Sequence, residues 1–306
     1  MAHIYLAEKT MAAIEQSIQK DQGAKYREWL GRVIPTISDA FDPREGTRSH
    51  LGLSTIGDPC ARKLFFQFRW VIKGKHSGRI LRLFNRGHME EGRFIAALLT
   101  AGMKVYQQDA QGKQFRISSF GGHVGSATDG IVVGCPDLQD PNVAILTEMK
   151  THGEKSFVKL KKEGVQESKF MHYVQQQVYM NKMDLRASLY LATNKNTDEI
   201  YAEIVMYDEV VAMHFLDRAD QIAGADEAPV GLSNKGASWF ECKMCDFAGV
   251  CYRGEEPLRN CRTCRYSIAK EDGKWHCRHS VVNATLDVEE QLKGCSHYEM
   301  AHYYGK

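Results

Sequence analysis

No stretch of this 306-residue chain approaches the roughly 20 consecutive apolar residues that a membrane-spanning helix needs. Its first thirty residues carry acids and bases throughout, without the apolar run of a secretory signal. These two absences give a cytoplasmic location as the expectation. There is no internal repeat, no low-complexity tract and no glycine fingerprint of a dinucleotide-binding turn. Excess charge is missing too: the formal net charge is +2, so the total argues for no particular partner. The apolar content of 43% is ordinary for a globular protein and excludes a disordered chain. The length has room for one large domain, or for one of about 200 residues with a smaller appendage.

What the chain does have is cysteine, nine in all, seven of them in the last eighty residues. A reducing compartment makes disulfides poor candidates, so metal or cluster ligation is the leading account. Charge is also unevenly spread. Between Arg62 and Arg86 there are eight Lys or Arg and no acid, interleaved with Phe65, Phe66, Phe68, Trp70 and Phe84. Such a stretch suits a phosphate backbone, and a solvated helix face is the competing account.

Residues 1 to about 40 read as helices, ended by Pro35 and the polar run from Asp42 to Ser49. A helix is expected from Ser54 to Trp70, its regular part starting near Pro59, and another from Ile80 to Ala101, stopped by Gly102. Short runs at 103–106, 114–118, 130–133 and 143–149 predict a meander of strands. A basic segment, Lys155 to Lys169, leads into a helix over 170–181. Two strands, 185–193 and 199–206, and a helix over 209–223 follow. The mixture predicts an α/β or α+β domain around one central sheet.

One apolar run, Ala144 to Lys150, ends in a carboxylate and an amine two positions apart. Strand periodicity puts Glu148 and Lys150 on one face and turns Met149 toward the core. Upstream, Asp129-Gly130 forms a turn before another apolar run, and pairing of the two strands would bring Asp129 to Glu148. Converging carboxylates suit a hard divalent cation, and the ammonium would orient or help deprotonate an attacking water. Glu-x-Lys occurs three times, at Glu148, Glu167 and Glu241, and only the first ends an apolar strand with an Asp-Gly upstream. On the tripeptide alone, an exposed ion pair is the simpler reading.

Gly125-Ser-Ala-Thr-Asp129-Gly130, Glu148-Met-Lys150 and Gln175-Gln-Gln-Val-Tyr179, in this order, resemble the RecB-like branch of the PD-(D/E)xK nucleases. The resemblance implies a restriction-endonuclease-like α/β core, a mixed sheet flanked by helices. Asp129 and Glu148 would bind Mg²⁺ or Mn²⁺, Lys150 would support the attacking water, and Gln175 and Tyr179 would line the site. Arg86-Gly87-His88-Met-Glu-Glu91 resembles the family's helical motif, with His88 the better match for a further metal ligand and Glu91 the alternative.

Cys242-x2-Cys245-x5-Cys251 supplies three thiolates, and Cys60 lies far upstream. This arrangement resembles the iron–sulfur subclass of the same nucleases, which includes AddB-type helicase-nucleases, CRISPR-associated adaptation nucleases and mitochondrial-type exonucleases. The resemblance implies a 4Fe–4S cluster on these four cysteines, although four thiolates would equally suit zinc. Closing a loop of about 190 residues, such a crosslink would act as a staple. A second set, Cys261-x2-Cys264-x12-Cys277-x17-Cys295, reads as structural zinc, with His276, His279 and His297 near enough in sequence to replace a thiolate. Arg253, Arg259, Arg262, Arg265, Lys270, Lys274 and Arg278 make this segment basic, which suits DNA, while a folding staple is the alternative. Cys135 belongs to neither set and is expected to be a buried or loop thiol.

The domains expected are an N-terminal helical segment (1–50), a nuclease domain with the cluster (51–252) and a zinc-binding module (253–306). The function implied is a Mg²⁺- or Mn²⁺-dependent DNA exonuclease acting on single strands or ends, in recombination or repair, with a helicase or recombination protein as a partner. Arg62, Arg86, Lys155 and Lys159 are candidate DNA contacts, with Lys161 and Lys162 beside the last two. The alternative is a non-catalytic nucleic-acid-binding module carrying two metal staples. An iron–sulfur redox enzyme has no support in the sequence.

Overall fold

The computed structural model describes residues 4–43, 48–232 and 236–304. Part of the polar run from Asp42 to Ser49 lies outside these residues. No described helix is long and apolar enough to cross a membrane.

In chain order the elements begin with α1 (Glu8–Lys20), α2 (Ala24–Val33), β1 (Leu51–Gly52), α3 (Ala61–Phe68) and α4 (Gly78–Thr100). Strands β2 (Lys104–Tyr106), β3 (Arg116–Ser119), β4 (Val124–Ala127), β5 (Ile131–Val133) and β6 (Ile145–His152) follow. Next come α5 (Glu154–Ser168), α6 (Phe170–Met183), β7 (Ala187–Asn194), β8 (Ile200–Met206) and α7 (Glu209–Gly224). The remainder holds α8 (Phe240–Lys243), α9 (Ala248–Tyr252), β9 (Ser267–Ala269), β10 (Trp275–Cys277), β11 (Thr285–Leu286) and α10 (Val288–Lys293). They form two compact units from interleaved segments. The first comprises Met1–Glu45, His76–Ile117 and Ala127–Met213; the second comprises Gly46–Lys75, Ser118–Ser126 and His214–Lys306.

The first unit is a mixed five-stranded sheet in the order β2-β5-β6-β7-β8, with helices on both faces, as the α/β expectation requires. The β6–β7 pair is parallel and the other neighbours are antiparallel. A parallel pair needs a crossover, and α5 and α6 supply it. Alternation along β6 and β7 sends Ile145, Met149, Leu189 and Leu191 into one core with Ile14 of α1, Val33 of α2 and Phe94 and Leu98 of α4. The opposite face of β6, carrying Glu148, Lys150 and His152, meets α6. Asp137 fastens α1 to this unit: its carboxylate accepts from Thr10 N at 2.7 Å and from Thr10 Oγ1 at 2.6 Å. Cys135 is buried in the same core. The expected basic segment from Lys155 is in fact helical, kinked at Gly164, whose φ is +71°.

In the second unit the aromatic half of the basic stretch is core. Phe65, Phe66 and Phe68 of α3 are buried against Tyr303, Tyr304, Phe247 and Trp275. The segment from residue 253 onward, too short and polar to build its own interior, thus shares a core with α3. Helix α3 starts later than Ser54, right after Pro59, and the Cys60 sulfur caps it by accepting from Lys63 N at 3.4 Å. Arg262 does not contribute to a basic surface. It is buried, with its guanidinium 3.6 Å from the Trp70 ring centroid, and it donates to the Phe68 carbonyl at 2.8 Å and to Gln291 Oε1 at 2.9 Å.

Candidate active site and thiol clusters

Glu148 stands in the middle of β6 with no solvent exposure, yet it is ionisable. Gln175 of α6 donates from Nε2 to Glu148 Oε2 at 2.9 Å and also reaches the hydroxyl of Tyr179, one helical turn further on, at 3.2 Å. The Lys150 ammonium, two residues along the strand, sits against Glu148 Oε1. Burial pushes the Glu148 carboxyl up to about 7, with the Asp129 charge adding to the effect and Lys150 and Gln175 opposing it. Burial works to neutralise Lys150 as well, but the charges of Glu148 and Asp129 outweigh it and hold the ammonium firmly protonated. In this state Lys150 is an electrostatic group and a poor base.

Asp129 joins the pair from the turn before β5, where its Oδ2 accepts from Met149 N at 2.8 Å. The contact depends on Gly130. Its φ is +133°, and a Cβ there would lie 2.7 Å from the Tyr106 carbonyl oxygen on β2. Strands β5 and β6 are antiparallel neighbours, as the hairpin reading requires, with Ile131 opposite Leu146. A third carboxylate comes from Glu91 on α4. It is pushed up to about 8 by burial, then by Asp129 and Asp39, with a smaller contribution from Glu148. Electrostatically Glu91, the alternative member of the helical motif, belongs with Asp129 and Glu148. His88 lines the same cleft one turn away. Neighbouring Glu90 faces inward instead, accepting from Thr193 Oγ1 and Arg93, both at 3.0 Å.

These groups open on a cleft of about 780 Å³ whose far wall the sequence did not point to. That wall carries His152, Ser156, Lys169, His172 and Lys195. The Tyr190 hydroxyl bridges His152 Nε2 and His172 Nδ1, each at 2.9 Å, and the two rings stack with centroids 5.8 Å apart. Burial, then the positive charges of Lys169, Lys150 and Lys195, pull His152 down to about 4. Burial, Lys150, His152 and Lys169 pull His172 down to about 2. His152 was legible in principle, being the next residue on the Glu148–Lys150 face, while Lys169 and Lys195 carry no local signal.

Lys155 is exposed on α5, and Lys159 and Lys161 lie along the same helix, 3.6 Å from Glu163 and 2.5 Å from Glu199 respectively. None of them lines the cleft. Arg86 is exposed and donates to the Lys195 carbonyl at 2.9 Å. Arg62 donates from Nε to the Pro229 carbonyl at 2.7 Å, and its charge counts among the influences on Cys251.

The second unit holds both cysteine sets. Cys60, Cys242, Cys245 and Cys251 are all free thiols within electrostatic reach of one another. Burial pushes Cys251 up to about 11, opposed by Arg62 and reinforced by the other three sulfurs. The Cys242 sulfur meets the Tyr252 hydroxyl at 3.4 Å. Cys261, Cys264, Cys277 and Cys295 line a small cavity together with His279, His297, Tyr266 and Tyr298. Burial, followed by Cys295, Cys264 and Cys277, pushes Cys261 up to about 11. His279 and His297 stack at 4.6 Å, whereas His276 turns away to Asn283 at 3.2 Å. Among the described residues, no three His, Cys, Asp or Glu side chains stand in a ready-made metal-holding group.

No protein-family model matches this chain, and no curated protein matches it by sequence. Among solved structures it is similar to SSO0001, at 14% identity and a TM-score of 0.38, over 74% of this chain and 95% of that one. It is also similar to an alkaline exonuclease (LHK-Exo) from Laribacter hongkongensis, at 13% identity and a TM-score of 0.39, over 64% of this chain and 90% of the other. The same enzyme in complex with dAMP matches at 11% identity with the same TM-score and coverage.

Proposed function

We propose that this protein is a divalent-metal-dependent deoxyribonuclease that hydrolyses phosphodiesters at DNA ends or in single strands. One arrangement carries the reading: Gln175 and Lys150 hold the two oxygens of buried Glu148, beside Asp129 fixed on the Met149 amide. The donor set fits a hard cation, since Glu91, Asp129 and Glu148 are oxygen donors and Glu91 and Glu148 are driven toward protonation partly by their shared negative charge. Mg²⁺ or Mn²⁺, held by Asp129 and Glu148 with Glu91 or His88, would supply the positive charge that polarises a scissile phosphate. Lys150, kept as an ammonium, lies where it can stabilise the negative charge that builds on that phosphate. Gln175, with Tyr179 behind it, keeps the Glu148 carboxylate in one orientation.

The two thiol sets are proposed as staples within the second unit. A 4Fe–4S cluster on Cys60, Cys242, Cys245 and Cys251 and zinc on Cys261, Cys264, Cys277 and Cys295 would each favour the thiolates that burial, and then the neighbouring sulfurs, disfavour at Cys251 and Cys261. DNA is the proposed partner, with a recombination or helicase protein acting on the same ends.

The test is incubation of anaerobically purified protein with end-labelled single- and double-stranded DNA, with and without Mn²⁺. Shortened products are expected from wild type and none from Asp129→Ala or Lys150→Ala, both of which should keep most DNA binding. Wild-type-like cleavage by either variant sinks the assignment, and binding without any cleavage by wild type favours the non-catalytic alternative. A brown absorbance band that disappears in Cys60→Ser is expected from the first thiol set, and zinc that disappears in Cys261→Ser from the second.

A further inference from the structure

The cleft is lined by two chemically different groups of residues. One group holds the carboxylates Asp129 and Glu91 with Lys150; the other holds Lys169, Lys195, Ser156 and the two imidazoles, while Glu90, the remaining carboxylate of the lining, is tied to Thr193 and Arg93. Neither Lys169 nor Lys195 forms an ion pair among the described residues, although Glu163, which pairs with Lys159, lies within electrostatic reach of Lys169. Their backbones are well anchored. Lys195 N donates to the His152 carbonyl at 2.8 Å, and the Lys195 carbonyl accepts from Arg86. Lys169 immediately precedes α6, and its carbonyl accepts from Tyr173 N at 3.0 Å. Lys169 is at once the C-cap of α5 and the N-cap of α6, so the partial charges of the two helix ends offset each other there and leave the side chain as the charge of this wall.

We infer that Lys169 and Lys195, backed by Ser156, His152 and His172, form a subsite for a backbone phosphate of a nucleic-acid strand whose scissile phosphate lies at Asp129 and Glu148. The inference rests on the nuclease reading for the position of the scissile bond, but not for the existence of the subsite. Two ammonium groups and a hydroxyl in a concave wall suit a phosphate better than a base or a sugar. Burial, and then the neighbouring lysines, hold both imidazoles neutral, so they act as hydrogen-bonding walls and leave the charge to the lysines. The Ser156–His152–Tyr190–His172 chain of hydrogen bonds fixes those walls in place. This assigns phosphate holding to lysines far apart in sequence and away from the exposed α5 row that follows the catalytic strand.

The test measures binding of a fluorescein-labelled single-stranded oligonucleotide to the full chain in EDTA, across a range of salt, so that cleavage plays no part. Replacing both residues, Lys169→Met with Lys195→Met, should lower the slope of log affinity against log salt by about 0.7, the value for one phosphate of a single strand that is no longer neutralised. Lys182→Met, near the other end of α6, serves as the control and should leave the slope unchanged. An unchanged slope in the folded double variant overturns the subsite, as does failure of wild type to bind the strand. Oligonucleotides with a 5′-phosphate and a 5′-hydroxyl separate the two sources of phosphate. A preference for the phosphorylated end that the double variant loses assigns the subsite to the chain end; an equal loss on both assigns it to an internal phosphate. Binding that depends on the lysines without any cutting in Mn²⁺ retains the subsite and rejects the nuclease reading. Cutting whose strand affinity ignores the lysines does the reverse.

Discussion

Gln175 Nε2 lies 2.9 Å from Glu148 Oε2, joining α6 to the middle of β6 through a side chain that is itself buried. The amide has little freedom, because its nitrogen is also 3.2 Å from the Tyr179 hydroxyl. Gln175→Leu keeps the volume and removes the donor. Loss of such an orienting contact typically costs about 10–100-fold in activity or metal affinity. The expected outcome is a fall of that size in kcat and a higher Mn²⁺ requirement, with KM for DNA nearly constant. Steady-state kinetics over a Mn²⁺ series check it, and an unchanged kcat would remove Gln175 from the site.

Glu91 should cost stability in metal-free protein. Its folded pKa of about 8 lies above the ordinary 4.5, so folding favours the protonated form. The penalty is absent below pH 4.5, grows as pH rises toward 8 and is complete above it. Glu91→Gln should therefore raise Tm by a few degrees at pH 8.5, on the order of 1–2 kcal/mol, and by nothing at pH 4.5. Thermal unfolding in EDTA at the two pH values is the check.

The neutral histidines act in the opposite direction. His152 and His172 are depressed to about 4 and about 2 from 6.5, so the unfolded chain takes up protons first as pH falls. Their contribution is intact above pH 6.5 and declines below it, down to about pH 4 for His152 and about pH 2 for His172. His172→Gln should flatten the acid side of the Tm–pH curve, whatever its effect at pH 7.5. A variant as acid-sensitive as wild type, once both curves are normalised at pH 7.5, would show that these rings are already protonated in the fold.

Arg262 should tolerate replacement badly even by lysine. Its guanidinium lies against Trp70 and Trp275 while donating to Phe68 and Gln291, and a single ammonium cannot keep that planar set. Arg262→Lys is expected to cost about 2–4 kcal/mol, in line with breaking a buried hydrogen-bonded network. Urea unfolding followed by tryptophan fluorescence measures it, and a change under about 0.5 kcal/mol would mean that the site repacks.

Much of the candidate site was legible from local rules. The period of two in a strand put Glu148 and Lys150 on one face and sent Met149 into the core. The alternation of apolar runs and turns marked out four of the five strands of the central sheet closely, and β6 runs to His152, three residues past its expected end. The spacing of the seven late cysteines sorted them into three and four, the family resemblance added Cys60 to the three, and the thiols of each set lie within electrostatic reach in the structure. Less local features were not legible. That Glu91 comes within electrostatic reach of Asp129 and Glu148 depends on how α4 is turned against the sheet. The phosphate-facing lysines come from the ends of α5 and β7, which only the crossover brings to one cleft.

The sequence by itself thus determined which residues share a strand face, where α4 and α6 run and how the seven late thiols divide, because backbone periodicity and spacing act over a few residues. Tertiary structure decided what those faces meet. It brought Asp129 to the Met149 amide across 20 residues, which requires Gly130 to pass the β2 backbone closely. It buried Arg262 beneath two tryptophans when its neighbours suggested a basic surface. It also set Lys169 and Lys195, rather than the lysines along α5, on the wall facing the carboxylates. Each of these outcomes depends on contacts between segments far apart in the chain, and the packing of a shared core selects such contacts.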